Sequence, residues 1–342
     1  MPAKIVKMPK PASKPASSSQ LPEVIPQQLL QQLLESLSGG EVVLPSDVRS
    51  LQFSLQKLMA SEGPEDELGE ARAQALELAF DATEASSKTE ARKLAHKALR
   101  LDADCVDALV LLADLEAHSP QEKIALLQKA VAAGERTLGE EFIQENRGHF
   151  WLHLDTRPYM RALAQLAYLF TAEQQMPEAI VVYEKMLELN PNDNQGVREP
   201  LLGAYLWSGD LSKAAELLQK YKDDASAAFA WGRVLECFLA QDLTKAKALL
   251  PKARKANPFV ETFLVDNHPL PLGAQEINSY TLGSVEEAVL CMESIGRAWQ
   301  RSAEALAWLS QDSGTKSFGP RTRKAPAAKP RRKAAPKASG KP

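Results

Sequence analysis

The most unusual local sequence in the chain is GEEFIQENRGHFWLHLDTRPYMRA, residues 139–162, where histidine, aspartate, arginine and tyrosine crowd together. His149 and His153 stand four apart and Asp155 follows. On a helix that spacing would put both imidazoles on one face, where neutral ring nitrogens can share a Zn²⁺. The position directly after His149 is not acidic and no third ligand is obvious, so the pair reads as packing partners of Phe150 and Trp151, and no metal is assigned. Arg157, Tyr159 and Arg161 add planar hydrogen-bond donors suited to a carboxylate. Asp155 or Thr156 before Arg157-Pro158 makes a helix start, because the missing N–H of Pro158 falls in the first turn, where no intrahelical partner exists.

Catalysis asks for more than this. A hydrolase needs a nucleophile, a base and an orienting group, and the chain has no G-x-S-x-G elbow and no cysteine in a recognisable His context. Phosphate-cradling loops and dinucleotide fingerprints are missing too, the glycines being scattered singly at helix ends. The acid pairs Glu140-Glu141, Asp223-Asp224 and Glu286-Glu287 fall near helix ends or on polar faces, where they suit the helix dipole better than acid–base work. His96, His118 and His268 are isolated. Cys105, Cys237 and Cys291 are odd in number and far apart, which excludes a disulfide framework and leaves them as small apolar residues of a reducing compartment. The expectation is a protein that is not an enzyme and carries no cofactor.

The elements that hold these residues are helical. Of 342 residues 44% are hydrophobic but only 6% aromatic, with Ala and Leu abundant, and the apolar residues follow helical rather than alternating spacing. A formal charge of −3 conceals a segregation. Residues 311–342 hold ten Lys/Arg against the single acid Asp312, the first twenty hold four lysines and no acid, and the segment between carries −16. A basic arm seeks phosphate and an acidic body avoids it. The N-terminus has no apolar core of a leader, and no stretch approaches the ~18 apolar residues of a membrane span, which predicts a soluble, cytoplasmic protein.

Residues 1–22, rich in Pro, Ala, Ser and Lys, and residues 312–342 are expected to be disordered, since neither can bury enough apolar surface to offset the entropy of ordering. Over 23–62 two leucine stripes predict a helical hairpin: Leu29, Leu30, Leu33, Leu34 and Leu37, then Val48, Leu51, Leu55, Leu58 and Met59. Residues 68–133 read as two helical repeats, 134–159 as an insertion, 160–258 as three further repeats and 259–311 as capping helices.

An internal period decides the architecture. In residues 160–193, Leu163, Leu166, Ala167 and Phe170 on a first helix are followed by Ala179, Tyr183 and Pro191 on a second helix and its exit turn. Small residues on facing helices let the backbones approach while large ones fill the flanks. The register recurs with Ala214, Leu218 and Tyr221, with Ala246, Leu250, Ala253 and Pro258, and upstream with Ala91, Ala95, Ala98, Leu109, Leu112 and Ala113. Arg233 breaks it, falling where a large apolar residue belongs. This pattern resembles the tetratricopeptide repeat. Residues 153–309 are also similar to the soluble part of the suppressor of tumorigenicity 7 family, through DTRPYMRALAQLAYLF, PEAIVVYEKMLELNP, LLQKYKDDAS, KARKANPFVETFL and SVEEAVLCMESIGRAW. The resemblance implies an all-α, right-handed solenoid and carries no catalytic residues with it.

In such a solenoid the first helix of each pair lines the concave side, where an extended segment or a helix can lie. Arg161, Gln165, Tyr168 and Thr171 fall there, together with Phe80 and Asp114 of the earlier repeats. The expectation is an adaptor or scaffold for a protein partner. The alternative is a nucleic-acid-associated protein whose tail, through Arg321, Arg323, Lys324, Lys329, Arg331, Arg332, Lys333 and Lys337, binds phosphates without reading sequence.

Overall fold

The structure, a computed structural model, describes residues 67–313 apart from 267–269, 272, 275–276 and 278. The hairpin expected over 23–62, residues 1–22, the tail from 314 and the tail cations named above lie outside the described residues; Asp312, expected in the disordered tail, instead lies in the last helix and pairs with Arg254 at 3.0 Å.

Everything regular in the described residues is helical, without a strand. The helices come in hairpins, each with a short turn: α1 (Glu67–Glu84) with α2 (Lys88–Leu101), and α3 (Val106–Glu116) with α4 (Pro120–Leu138). After a short α5 (Glu140–Glu145) and two 3₁₀ turns come α6 (Arg157–Ala172) with α7 (Met176–Leu189), α8 (Arg198–Ser208) with α9 (Leu211–Lys220), and α10 (Ala227–Leu239) with α11 (Leu243–Ala256). The chain closes with α12 (Val260–Val265), α13 (Val285–Cys291), a π turn over Met292–Gly296, α14 (Arg297–Arg301) and α15 (Ala303–Ser313).

Local chemistry sets the starts. Ser87, Ser119 and Ser284 accept from the amides of Glu90, Glu122 and Glu287 three residues on. Glu122 and Glu287 reach back to the amides of His118 and Gly283, at 2.7 and 2.6 Å, a reciprocal arrangement that satisfies otherwise orphaned donors. Asp210, Ser226 and Asp242 cap α9, α10 and α11. The turns repeat as well. Gln174, Gly209 and Gln241 all adopt positive φ, of 60°, 78° and 64°, and each is followed by an amide that bonds five residues back, to the carbonyls of Phe170, Tyr205 and Cys237. That is the helix-ending geometry a left-handed residue permits, used three times at near-equal spacing.

Small residues lie inside the hairpins as the period requires: Ala167, Ala179, Ala214 and Ala246 have no exposed surface. Between hairpins a three-residue staple recurs. Glu135 of α4 accepts from the Tyr159 hydroxyl of α6 (3.1 Å) and from Lys185 of α7 (2.6 Å), and Glu184 of α7 accepts from Tyr205 of α8 (2.6 Å) and Lys213 of α9 (2.7 Å). Each lysine also lies over its tyrosine ring. Arg233 has a cap role: its guanidinium donates to the carbonyls of Leu218, Tyr221 and Lys222 at the end of α9, which explains a cation in an apolar register.

The core is divided. A small cluster made almost wholly of alanine (Ala75, Ala79, Ala82, Ala95, Ala98, Ala108, with Cys105 and Leu112) joins α1 and α2 to α3. Most other buried apolar residues form one continuous core from Val106 to Leu309, filled by Trp231, Trp299, Tyr159, Tyr183, Phe150 and Phe229.

Candidate partner-binding face

The first helices of the hairpins, α1, α3, α6, α8 and α10, differ in what covers them. Over α8 and α10 the C-terminal segment α13–α14 lies in direct contact. Gly203 marks the closest approach: a Cβ there would sit 1.9 Å from the carbonyl oxygen of Ser294, so only glycine lets the two helices meet. The π turn of α13–α14 falls at this crossing, a local widening of the kind that accommodates a close neighbour. Trp299 meets Trp231 of α10 edge to face at 6.2 Å, and Arg301 stacks on the Trp207 ring at 4.1 Å while donating to its carbonyl. Arg297 binds the carbonyls of Thr171 and Ala172, capping the end of α6.

Glu287 anchors the start of this segment. It accepts from the amide of Ala227 at the first turn of α10 and from the Asn257 side chain. Nearby, Asp193, itself in a left-handed conformation, accepts from the amides of Val197 and Arg198 to start α8, and Arg198 pairs with Asp224 at 2.7 Å. Glu199 sits in this crowd of acids. Desolvation, then the charge of Asp224, pushes its carboxyl up to about 7.

Among the described residues no such segment lies over α3, and at α6 the C-terminal segment reaches the carbonyl end, through Arg297. Arg161 and Tyr168 are exposed on one stripe of α6, with Gln165 between them partly exposed. Arg161 grips Asp107 of α3 with three contacts of 2.8 to 3.1 Å, so it braces neighbouring first helices as well as facing solvent. Tyr168 is 47% exposed and its ring meets Tyr183 edge-on at 5.9 Å. Desolvation of the hydroxyl, followed by the charges of Asp193, Glu199 and Glu293, pushes its pKa up to about 12, so the phenol is a neutral donor at ordinary pH. Thr171 is turned inward, its hydroxyl bonded to Ala167 and Tyr183. Asp114 is exposed but pairs with Lys123 of α4 at 2.6 Å, and Phe80 is half-buried on α1. The structure therefore gathers Arg161, Gln165 and Tyr168, places Asp114 two turns along α3 from Asp107, and leaves Phe80 on a separate helix.

The two histidines of the insertion do not share a helix face. His149 and His153 fall around successive 3₁₀ turns rather than on one helix, and His153 lies edge-on to Phe142 at 5.3 Å. No group of three or more metal-ligating side chains occurs among the described residues. All three cysteines are buried and free, with burial pushing the Cys105 thiol up to about 12 and the Cys237 thiol to about 11. Two clefts open along the second helices, of about 550 and 390 Å³. The cations lining the larger, Arg136, Arg147 and Lys185, are held by Asp104, Glu188 and Glu135. No helix among the described residues is long and apolar enough to cross a membrane.

Sequence reasoning expected capping helices over 259–311 but missed that α13–α14 lie over α8 and α10. The one signal of that was Gly203 inside the apolar run LLGAYLW, a glycine in a helix interior that needs a packing reason. No protein-family model and no curated protein matches the chain.

Proposed function

We propose that the chain is a non-enzymatic adaptor built as a solenoid of tetratricopeptide-type hairpins, and that it binds a segment of a protein partner on the uncovered stretch of first helices. The observation that carries this reading is the contrast along one row of helices. The faces of α8 and α10 are closed by the chain's own C-terminal segment, whereas the α6 stripe ends in a half-exposed tyrosine flanked by amide and guanidinium groups. An aromatic ring with polar neighbours on a rigid helix is the composition that binds peptides. Affinity capture by the full chain, compared with a Tyr168→Ala/Gln165→Ala variant, tests it: the variant loses the captured protein and keeps its melting temperature. Arg161 is left intact because its loss would also remove the Asp107 brace.

A second reading is favoured by the ten Lys/Arg within residues 311–342: the tail binds nucleic acid without sequence preference. Each phosphate contact steepens the salt dependence by about 0.7 to 0.9 in log–log slope. Retention on DNA that disappears on truncation after residue 320 supports it, and retention that survives truncation places the basic surface elsewhere.

A further inference from the structure

The first turn of α6 carries an arginine whose charge is not balanced by any carboxylate among the described residues. Arg157 is only 6% exposed, and its guanidinium lies on Trp151, 3.4 Å from the ring centre. One Nη2 proton goes to the Trp151 carbonyl at 2.6 Å, while Nε has no hydrogen-bond partner. No carboxylate among the described residues is ion-paired with it. Asp107 is taken by Arg161, and Asp155, two residues earlier, has its carboxyl pushed up by desolvation rather than down by the guanidinium. Desolvation, with the charge of Arg161 added, pulls Arg157 down to about 10, which still leaves it charged at neutral pH. A charge taken out of water without a partner is costly, and calls for a counter-charge.

The helix adds to the demand. Arg157 occupies the first position of a sixteen-residue helix, at the end where the backbone dipole is already positive. No acid lies in that turn, and the Thr156 hydroxyl donates to the carbonyls of Phe150 and His153 instead of accepting from the turn. Arg157 also shares a stripe with Arg161, Gln165 and Tyr168, at steps of four, eight and eleven residues. It therefore stands at one end of the proposed partner face, beneath Trp151.

We propose that this end is a carboxylate-recognition site: an Asp, Glu or chain-terminal carboxylate of the partner segment enters beside Trp151 and pairs with the Arg157 guanidinium at the amino end of α6. A planar two-oxygen ligand matches the planar guanidinium edge, and its single charge balances the one unpaired cation, where a phosphoryl group would bring about two. The inference rests on the partner-face reading and specifies the chemistry at one end of that face.

The test is a titration of the full-length ¹⁵N-labelled protein with sodium glutarate, sodium phosphate or sodium chloride at matched ionic strength, reading the arginine Nε–H cross peaks. Arg157→Lys identifies its peak by loss; should that variant not fold, contacts from Nε–H to the Trp151 indole identify it in the natural chain. The expected result is a displacement that saturates with millimolar glutarate and is at least about tenfold smaller with chloride. No response to glutarate, or an equal one to chloride, overturns the site and leaves Trp151 stacking as the whole compensation. Saturation by phosphate at a concentration about tenfold below glutarate overturns the carboxylate assignment. If glutarate saturates Arg157 while Tyr168→Ala/Gln165→Ala keeps its captured protein, the partner-face reading fails and the carboxylate site stands; the reverse pattern overturns the site alone.

Discussion

One row of first helices meets two fates in this molecule. Along α8 and α10 it is closed by α13–α14, with Gly203 against the Ser294 backbone and paired tryptophans filling the seam. Along α3 and α6 it is uncovered among the described residues except where Arg297 reaches the end of α6, and the Arg161–Asp107 brace joins the two helices at the surface. The same hairpin grammar underlies both stretches, down to the left-handed turn residues and the Glu–Tyr–Lys staples. What separates them is a contact between segments about ninety residues apart, so the closed stretch belongs to the folding core and the open one is the face proposed above for a partner. A second contrast runs alongside. The α1–α2 hairpin is held mainly by alanines with partly buried leucines at their edge, which bury less apolar area than the aromatic-rich core beyond it, and it is expected to exchange its amides before the rest of the described residues open.

The largest effect should come from the seam. Gly203→Ala forces the C-terminal segment off α8, because the added Cβ meets a backbone oxygen that cannot rotate away. A loss of about 3 kcal/mol or more is expected in thermal or urea unfolding, and a loss below about 1 kcal/mol would mean that the closure contributes little. Ala179→Leu, in the hairpin beneath the open stretch, should cost ~1 to 3 kcal/mol by overpacking. An unchanged midpoint there would break the claim that both stretches share one packing register.

Glu199 gives a difference that depends on pH. Its folded pKa of about 7 lies above the ordinary carboxyl value of 4.5, so the folded state holds the proton more tightly than the unfolded state. Stability contributed by this group is therefore full below about pH 4.5, falls as pH rises through 7, and is lost above it. Glu199→Gln should raise the melting temperature at pH 8, by ~2 to 4 °C for each kcal/mol recovered, and leave it nearly unchanged at pH 4.5. A variant that is equally displaced at both pH values would contradict the assignment. The smallest effect on stability is expected from Tyr168→Ala, within about 1 kcal/mol, because nearly half of the side chain is already in solvent.

Much of this was legible in the sequence, for a physical reason. Hairpin packing is local: Leu163, Ala167, Ala179 and Tyr183 sit within one turn-connected pair, so their spacing reports their contacts directly. The first helix of that unit begins at Arg157, earlier than the repeat boundary at 160, because Pro158 is accommodated in the first turn. Arg233 was visible as an exception, but its role depends on the carbonyl ends of the preceding helix, which spacing along one helix does not register. The expected site split for a similar reason. Gln165 and Tyr168 face outward as helical phase predicts, whereas Arg161 and Asp114 are each claimed by a partner on another helix, Asp107 and Lys123. The closure of α8 and α10 is a tertiary event with only Gly203 to announce it.

The most direct test of the division between open and closed stretches is site-specific photocrosslinking in the full chain. A photoreactive residue is placed at Gln165 on the open stripe, or at Val181, which is 64% exposed on the second helix of the same hairpin. A discrete crosslinked partner from position 165, with none from 181, is the predicted result. Crosslinks from 181 with none from 165 would move binding to the second-helix row and contradict the account.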